Sequence, residues 1–244
     1  MLLGSGTAGR LIGKWQIEHH PSRKLGRLGI AEGAIFALLG LLIAFTFSGA
    51  YERFQLRITD ILEEANAINT AYLRLDLLSP DLQKPLRDDF RQYIDARYLI
   101  YQDAKLYDFN MVEERIAIAR QIQLNIWNHA ITALKKTNDP SASELLLGAL
   151  NNMFDNANMQ FSMSKVHPPL AIFALLMVLS LLSTFLIGYS ITKSKIKNRV
   201  HVFSYILITS LTLYVILDLE LPRVGLIRVT PFDSIILDLG KKMK

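Results

Sequence analysis

Three stretches of this sequence hold too many consecutive apolar residues to be the helices of a small soluble domain. Residues 28–50 read LGIAEGAIFALLGLLIAFTFSGA, with Glu32 as the one charge. Residues 169–190 read PLAIFALLMVLSLLSTFLIGYS, with no charge, and residues 200–217 read VHVFSYILITSLTLYVIL, where only His201 can ionise. A helix of about 20 apolar residues covers the hydrocarbon core of a bilayer, and each window reaches or nearly reaches that length. Lipid offers the backbone no hydrogen-bond partners, so segments that cross it must be helical. The mean hydropathy of +0.25 is therefore an average over spans and a polar remainder, not a property of the whole chain.

The first window has the outline of a secretory signal: basic residues Arg10, Lys14, Arg23, Lys24 and Arg27 precede it, and Ser48-Gly49-Ala50 closes it. Its apolar stretch is longer than the roughly 7–15 residues of a signal core, so an uncleaved anchor is expected. Small residues recur every four positions at Gly29, Gly33 and Ala37, and again at Gly40, Ala44 and Ser48. Such faces let helix backbones approach closely in lipid. A neighbouring stripe, Phe36, Gly40, Ile43 and Phe47, also follows helical spacing and faces either a packing partner or a pore.

Residues 51–167 are different in kind. Ile58, Ile61, Leu62, Ala65, Ile68, Tyr72 and Leu73 recur with the period of an amphipathic helix, with no Pro or Gly between Ala50 and this stripe. The helix is expected to continue from the first span and to stop at Ser79-Pro80. Pro80 then opens another, since proline suits the first helical position, with Leu86, Phe90, Tyr93, Ile94, Arg97 and Tyr98 along one face. Asn110 with Glu113 resembles a capping box ahead of Ile116, Ala119, Ile122, Ile126, Ala130 and Leu134. After Asn138-Asp139-Pro140, Ser141 and Glu144 form a second box ahead of Leu145, Ala149, Leu150, Met153, Ala157 and Phe161. The segment is expected to be a bundle of about four amphipathic helices.

Catalytic and cofactor motifs are weak. Gly4-Ser5-Gly6-Thr7-Ala8-Gly9 spells G-x-G-x-x-G, but only three residues precede it, too few for the strand a dinucleotide site requires. Glu18-His19-His20 has no second cluster at metal-ligand spacing. The chain has no cysteine, which excludes disulfides, thiolate metal sites and a cysteine nucleophile. A net charge of +5 spread over 244 residues is too small an excess to indicate nucleic acid. No cofactor and no enzyme chemistry is expected. Two polar features stand out: Glu32 inside an apolar window, where acids are costly and usually functional, and the run Asp218, Glu220, Pro222, Arg223 that ends the third span. That run fits a boundary ion pair or, in an oligomer, a ring that coordinates or gates.

Glu32-Gly33-Ala34-Ile35, Ala44-Phe45-Thr46-Phe47 and the block from Glu64 to Arg74, which includes Asn66 and Thr70, resemble the bestrophin-like domain family of bacterial membrane proteins. His167-Pro168-Pro169, Gly188-Tyr189 and the run from Leu217 through Asp218, Glu220 and Arg223 to Gly225 match its later blocks. The resemblance implies a distant similarity to bestrophins, pentameric ion channels whose pore helix begins in the membrane and continues into a helical extramembrane part. It marks Phe36, Ile43 and Phe47 as the nearest counterparts of the apolar pore neck, and a narrow apolar ring gates by dewetting. It also implies a homo-oligomer, lipid and inorganic ions as partners, and a multi-pass place in the bacterial inner membrane. Family members commonly carry one more apolar helix at the N-terminus. Met1–Gly13 is too short to span, so the chain is expected to start late or to lack it.

The expected architecture is all-α and polytopic, with spans at 28–50, 168–190 and 200–221. A basic segment 1–27 precedes the first span, the helical domain 51–167 follows it, a basic loop 191–199 separates the other two, and 222–244 forms a tail. The basic residues of 10–27 and of Lys193, Lys195, Lys197 and Arg199 place both segments in the cytoplasm by the positive-inside rule, which puts 51–167 outside. The resemblance implies the cytoplasmic side instead. A non-conducting membrane-anchored interaction or sensing module is the alternative to a channel.

Overall fold

The computed structural model describes residues 1–19, 29–105, 109–164, 167–192, 199–223 and 225–243. The expectations for Arg23, Lys24, Arg27, Lys193, Lys195 and Lys197 lie outside the described residues. Helices account for nearly all of the rest: α1 Leu2–His19, α2 Gly29–Leu73, a 3₁₀ turn Arg74–Leu77, α3 Pro80–Lys105, α4 Phe109–Thr137, α5 Pro140–Ser164, α6 Leu170–Ile191, α7 Arg199–Glu220 and α8 Thr230–Lys242. Among the described residues there is no strand.

The chain divides into two compact units: Met1–Glu52 with His167–Glu220, and Arg53–Val166 with Leu221–Lys244. The first unit holds α1, the first half of α2, α6 and α7. Among the described residues, three helices are long and apolar enough to cross a membrane, and these spans start at Gly29, Leu170 and Val200. In the most apolar window of the first, only 11% of the residues are buried within the chain.

The first unit is held together by α1 on α6. A Cβ added to Gly9 would fall on the carbonyl of Phe185, and one on Gly188 would fall on the carbonyl of Gly6. The side chain of Thr192 occupies the space a Cβ on Gly13 would need. The two backbones therefore touch, and only glycine allows it. Ser5 Oγ donates to the Leu181 carbonyl at 2.7 Å, and the Tyr189 hydroxyl meets Gln16 Oε1. The G-x-G-x-x-G run thus has a packing role: it is part of a helix face that continues to Gly13. The small-residue faces of α2 behave differently. Gly29, Gly33 and Gly40 have open space where a Cβ would stand, and Ala37, Ala44 and Ser48 are exposed.

The second unit is a bundle of the second half of α2 with α3, α4, α5 and α8. Its core includes Ile68, Leu86, Phe90, Tyr93, Ile94, Ile126, Leu146, Leu150 and Met153. The expected stripes supply nearly all of these, because each lies on one helical face. At the α4–α5 corner, Asn138 adopts φ 51°, the left-handed conformation that ends helices, and its N–H reaches the Leu134 carbonyl at 2.9 Å. The cap of α5 is Asp139: its Oδ1 accepts the Ser141 and Ala142 amides at 2.8 and 3.2 Å. The expected Ser141–Glu144 box is displaced, because Pro140 takes the first helical position and leaves the residue before it to cap.

Residues 222–244, expected as a tail, include α8. Ile236 and Met243 are buried in the bundle core, and the Tyr72 hydroxyl donates to the Met243 carbonyl at 3.0 Å. Gly240 lets α8 approach α3, where a Cβ would stand 2.9 Å from Ile94 Cγ2.

Candidate functional site

In the first unit, α2 carries the residues that the sequence reading marks for a pore. Gly40 and Phe47 are exposed and Ile43 is half-buried. Phe36 is half-buried too, and meets the Tyr205 ring of α7 edge-on at 5.8 Å. Phe45, on another face of the helix, is 69% exposed. Glu32 is half-buried in the first turn of α2, and its shielded Oε1 meets no hydrogen-bond partner among the described residues. Asp218 and Glu220 lie buried at the end of α7, with His167 Nδ1 3.9 Å from Glu220 Oε2.

The second unit holds a buried polar network. Glu64, on α2, is fully buried inside the apolar stripe Ile61, Ala65, Ile68. Arg97 of α3 grips it at two points: Nε to Oε1 at 2.5 Å and Nη2 to Oε2 at 2.8 Å. Nη2 also donates to Gln160 Oε1 of α5 at 2.9 Å, and the Tyr101 hydroxyl donates to Glu64 Oε2 at 2.6 Å. Arg97 and Tyr101 of α3 thus close on the Glu64 carboxylate of α2, and Gln160 of α5 holds Arg97 in turn. Such a pair persists out of water because its bonds are charge-assisted and mutually satisfied.

The electrostatics follow from that enclosure. Burial disfavours the charged form of Arg97, but the Glu64 carboxylate outweighs it and holds the guanidinium well above its ordinary range. Burial, then Glu64, pushes the Tyr101 phenol well above its usual value, so it remains a donor. Burial also pushes Tyr93 up to about 12, and its oxygen accepts from Gln123 Nε2 at 3.1 Å.

Arg223 belongs to the same unit. Its Nη1 pairs with Asp233 Oδ2 of α8 at 2.7 Å, and its guanidinium lies 5.1 Å from the Tyr101 ring centre. Arg223 is thus in an ion pair whose acid comes from α8, a helix that the sequence reading did not anticipate. Asn66 and Thr70 are exposed, outside the network, while Arg74 Nη1 reaches the Leu145 carbonyl at 2.5 Å. Tyr101, Gln160 and Asp233 were missed. Arg97 carried a signal: an arginine inside an apolar stripe, matched by an acid inside the stripe of another helix, implies a buried pair. No group of three or more potential metal ligands occurs among the described residues.

These observations define the class: an all-helical membrane protein with apolar helices in one unit and an amphipathic bundle in the other. A model of the bestrophin-like domain matches residues 29–233, most of the 244-residue sequence. The chain belongs to the bestrophin-like domain family. Among solved structures it is similar to a bacterial bestrophin homologue from Klebsiella pneumoniae, known as several point mutants. One superposes with a TM-score of 0.73, another with 0.75 and a third with 0.76. Each is 13% identical, and each match covers 99% of this chain and 96% of the other. At that identity the likeness is one of fold, and its coverage takes in α1. No curated protein matches the sequence significantly.

Proposed function

We propose that this chain is one subunit of a homo-oligomeric, bestrophin-like ion channel and has no enzymatic role. It sits as a multi-pass protein in the bacterial inner membrane, and α2 lines the pore. The observation that carries this reading is α2 itself. It is a single 45-residue helix whose apolar half is almost unburied in one protomer and whose polar half is built into the bundle. A lone protomer leaves its small-residue faces without a partner, and copies arranged about an axis would give them one. Phe36, Gly40, Ile43 and Phe47 then contribute to the apolar neck, with Phe36 braced by Tyr205. Among the other motif residues, Glu64, Arg74 and Arg223 fix the bundle. Glu32, Asp218 and Glu220 lie in the apolar unit, and Asn66 and Thr70 belong to the exposed surface of α2.

Reconstituted vesicles loaded with an ion-sensitive dye test this reading: the protein should dissipate an imposed ion gradient, and Phe47→Ala should change the rate. The alternative, a non-conducting interaction module, draws support from apolar side chains left exposed on the bundle, among them Leu124, Leu145 and Met159. It predicts that polar substitutions there abolish function while Phe36→Ala and Phe47→Ala do not.

A further inference from the structure

Within the first unit, α1 and α6 run in the same direction. Gly6 lies opposite Thr184 and Gly188, Gly9 opposite Phe185 and Tyr189, and Gly13 opposite Thr192. Arg10 is therefore level with the last turn of α6, which ends at Ile191. For a helix that spans the hydrocarbon core, that is the height of the headgroup phosphates.

A groove of about 210 Å³ opens here between α1, α6 and α7. Its floor includes Gly6, Gly188 and Ile206, all buried, and exists because two helices meet glycine to glycine beneath α7. Leu3 and Phe203 line it and are exposed. Thr7 and Arg10 supply its polar atoms, and among the described residues no carboxylate pairs with Arg10. Lys14, one turn further along α1, is exposed. The groove is thus apolar toward the middle of the span and cationic at its end.

We propose that this groove binds an anionic phospholipid. The phosphate engages the Arg10 guanidinium, whose planar donors match phosphate oxygens, and one acyl chain follows Gly6 inward toward Leu3 and Ile206. A neutral zwitterionic lipid fits the same apolar floor but brings its own cation to Arg10. Basic pockets between membrane helices select anionic headgroups for this reason.

Native mass spectrometry of the full chain in detergent, titrated with dioleoyl-phosphatidylglycerol or dioleoyl-phosphatidylcholine, tests the proposal. The expected result is about five-fold tighter binding of phosphatidylglycerol, the contribution of one cation near a lipid surface. Arg10→Gln should lose that preference. Thr7→Phe, at an exposed position that fills the groove and leaves Arg10 in place, should lose it as well, while circular dichroism stays helical. Equal affinity for the two lipids in the unsubstituted protein overturns the proposal. So does a preference that survives either substitution, since survival in Thr7→Phe would mean surface charge rather than a groove. Displacement of phosphatidylglycerol by inorganic phosphate also overturns it, because the site would then take a free anion.

Discussion

Arg97 holds Glu64 by two parallel bonds, 2.5 and 2.8 Å long, with the side chains 4% and 0% exposed. The pair ties α3 to α2, the helix that begins in the apolar unit. Breaking a buried pair strands the surviving charge, which costs about 3–5 kcal/mol. Glu64→Gln and Arg97→Met should each destabilise the detergent-solubilised protein by about that amount in chemical denaturation. The double variant should lose clearly less than the sum, because it leaves no lone charge. Strict additivity would show that the two side chains act independently.

A second prediction concerns alkaline stability. Burial raises the Tyr93 phenol from its ordinary 10 to about 12 in the folded bundle. The unfolded chain therefore loses this proton at lower pH than the folded one. The stabilisation is fully present below pH 10 and is lost as pH rises through about 12. Unfolding midpoints should fall across that window, and Tyr93→Phe should flatten this part of the decline. Phenolate absorbance at 295 nm, as an independent readout, should show the most reluctant tyrosines ionising only with unfolding. A profile unchanged by Tyr93→Phe would contradict the assignment.

The α1–α6 contact makes a third prediction by contrast. Gly188→Ala places a methyl group on the Gly6 backbone, whereas Gly4→Ala meets nothing within 4 Å. Overpacking of this kind costs about 1–3 kcal/mol. Cysteines engineered at Ser5 and Leu181 can report the contact, since the chain has none of its own. Cross-linking between them should fall in Gly188→Ala and stay unchanged in Gly4→Ala. Equal yields in both would mean that α1 does not lie on α6 through glycine.

Periodicity made most of this fold legible. The stripes through Ile68, Phe90, Ile126 and Leu150 map onto one core because a helix face is a local property of sequence. Two elements were not legible in the same way. In α1, Gly6, Gly9 and Gly13 pack by lacking side chains, so the face that touches α6 carries no apolar signal. The start of α8 is marked by Thr230-Pro231, but its buried residues are few, and only the rest of the bundle makes Ile236 core. The buried network was half legible: Glu64 and Arg97 sat in apolar stripes, but nothing in sequence says that α2, α3 and α5 meet there. Asp233 became visible only once α8 was placed against Arg223.

A fourth prediction separates the two kinds of residue on α2. Phe47 is 41% exposed, whereas Phe36 packs on Tyr205. Phe36→Ala should lower the unfolding midpoint as well as alter conduction, since it removes an aromatic pair worth about 0.5–1.5 kcal/mol beyond its burial. Phe47→Ala should alter conduction with little effect on the midpoint. Indistinguishable unfolding curves for the two variants would contradict this division.

The most direct test of the central claim is single-channel recording from the purified oligomer in planar bilayers. The account predicts discrete current steps whose amplitude or open time changes in Phe47→Ala, where the apolar side chain is lost, and in Gly40→Leu, where an open face is filled. A folded oligomer that stays silent across cations, anions and both signs of voltage would contradict it.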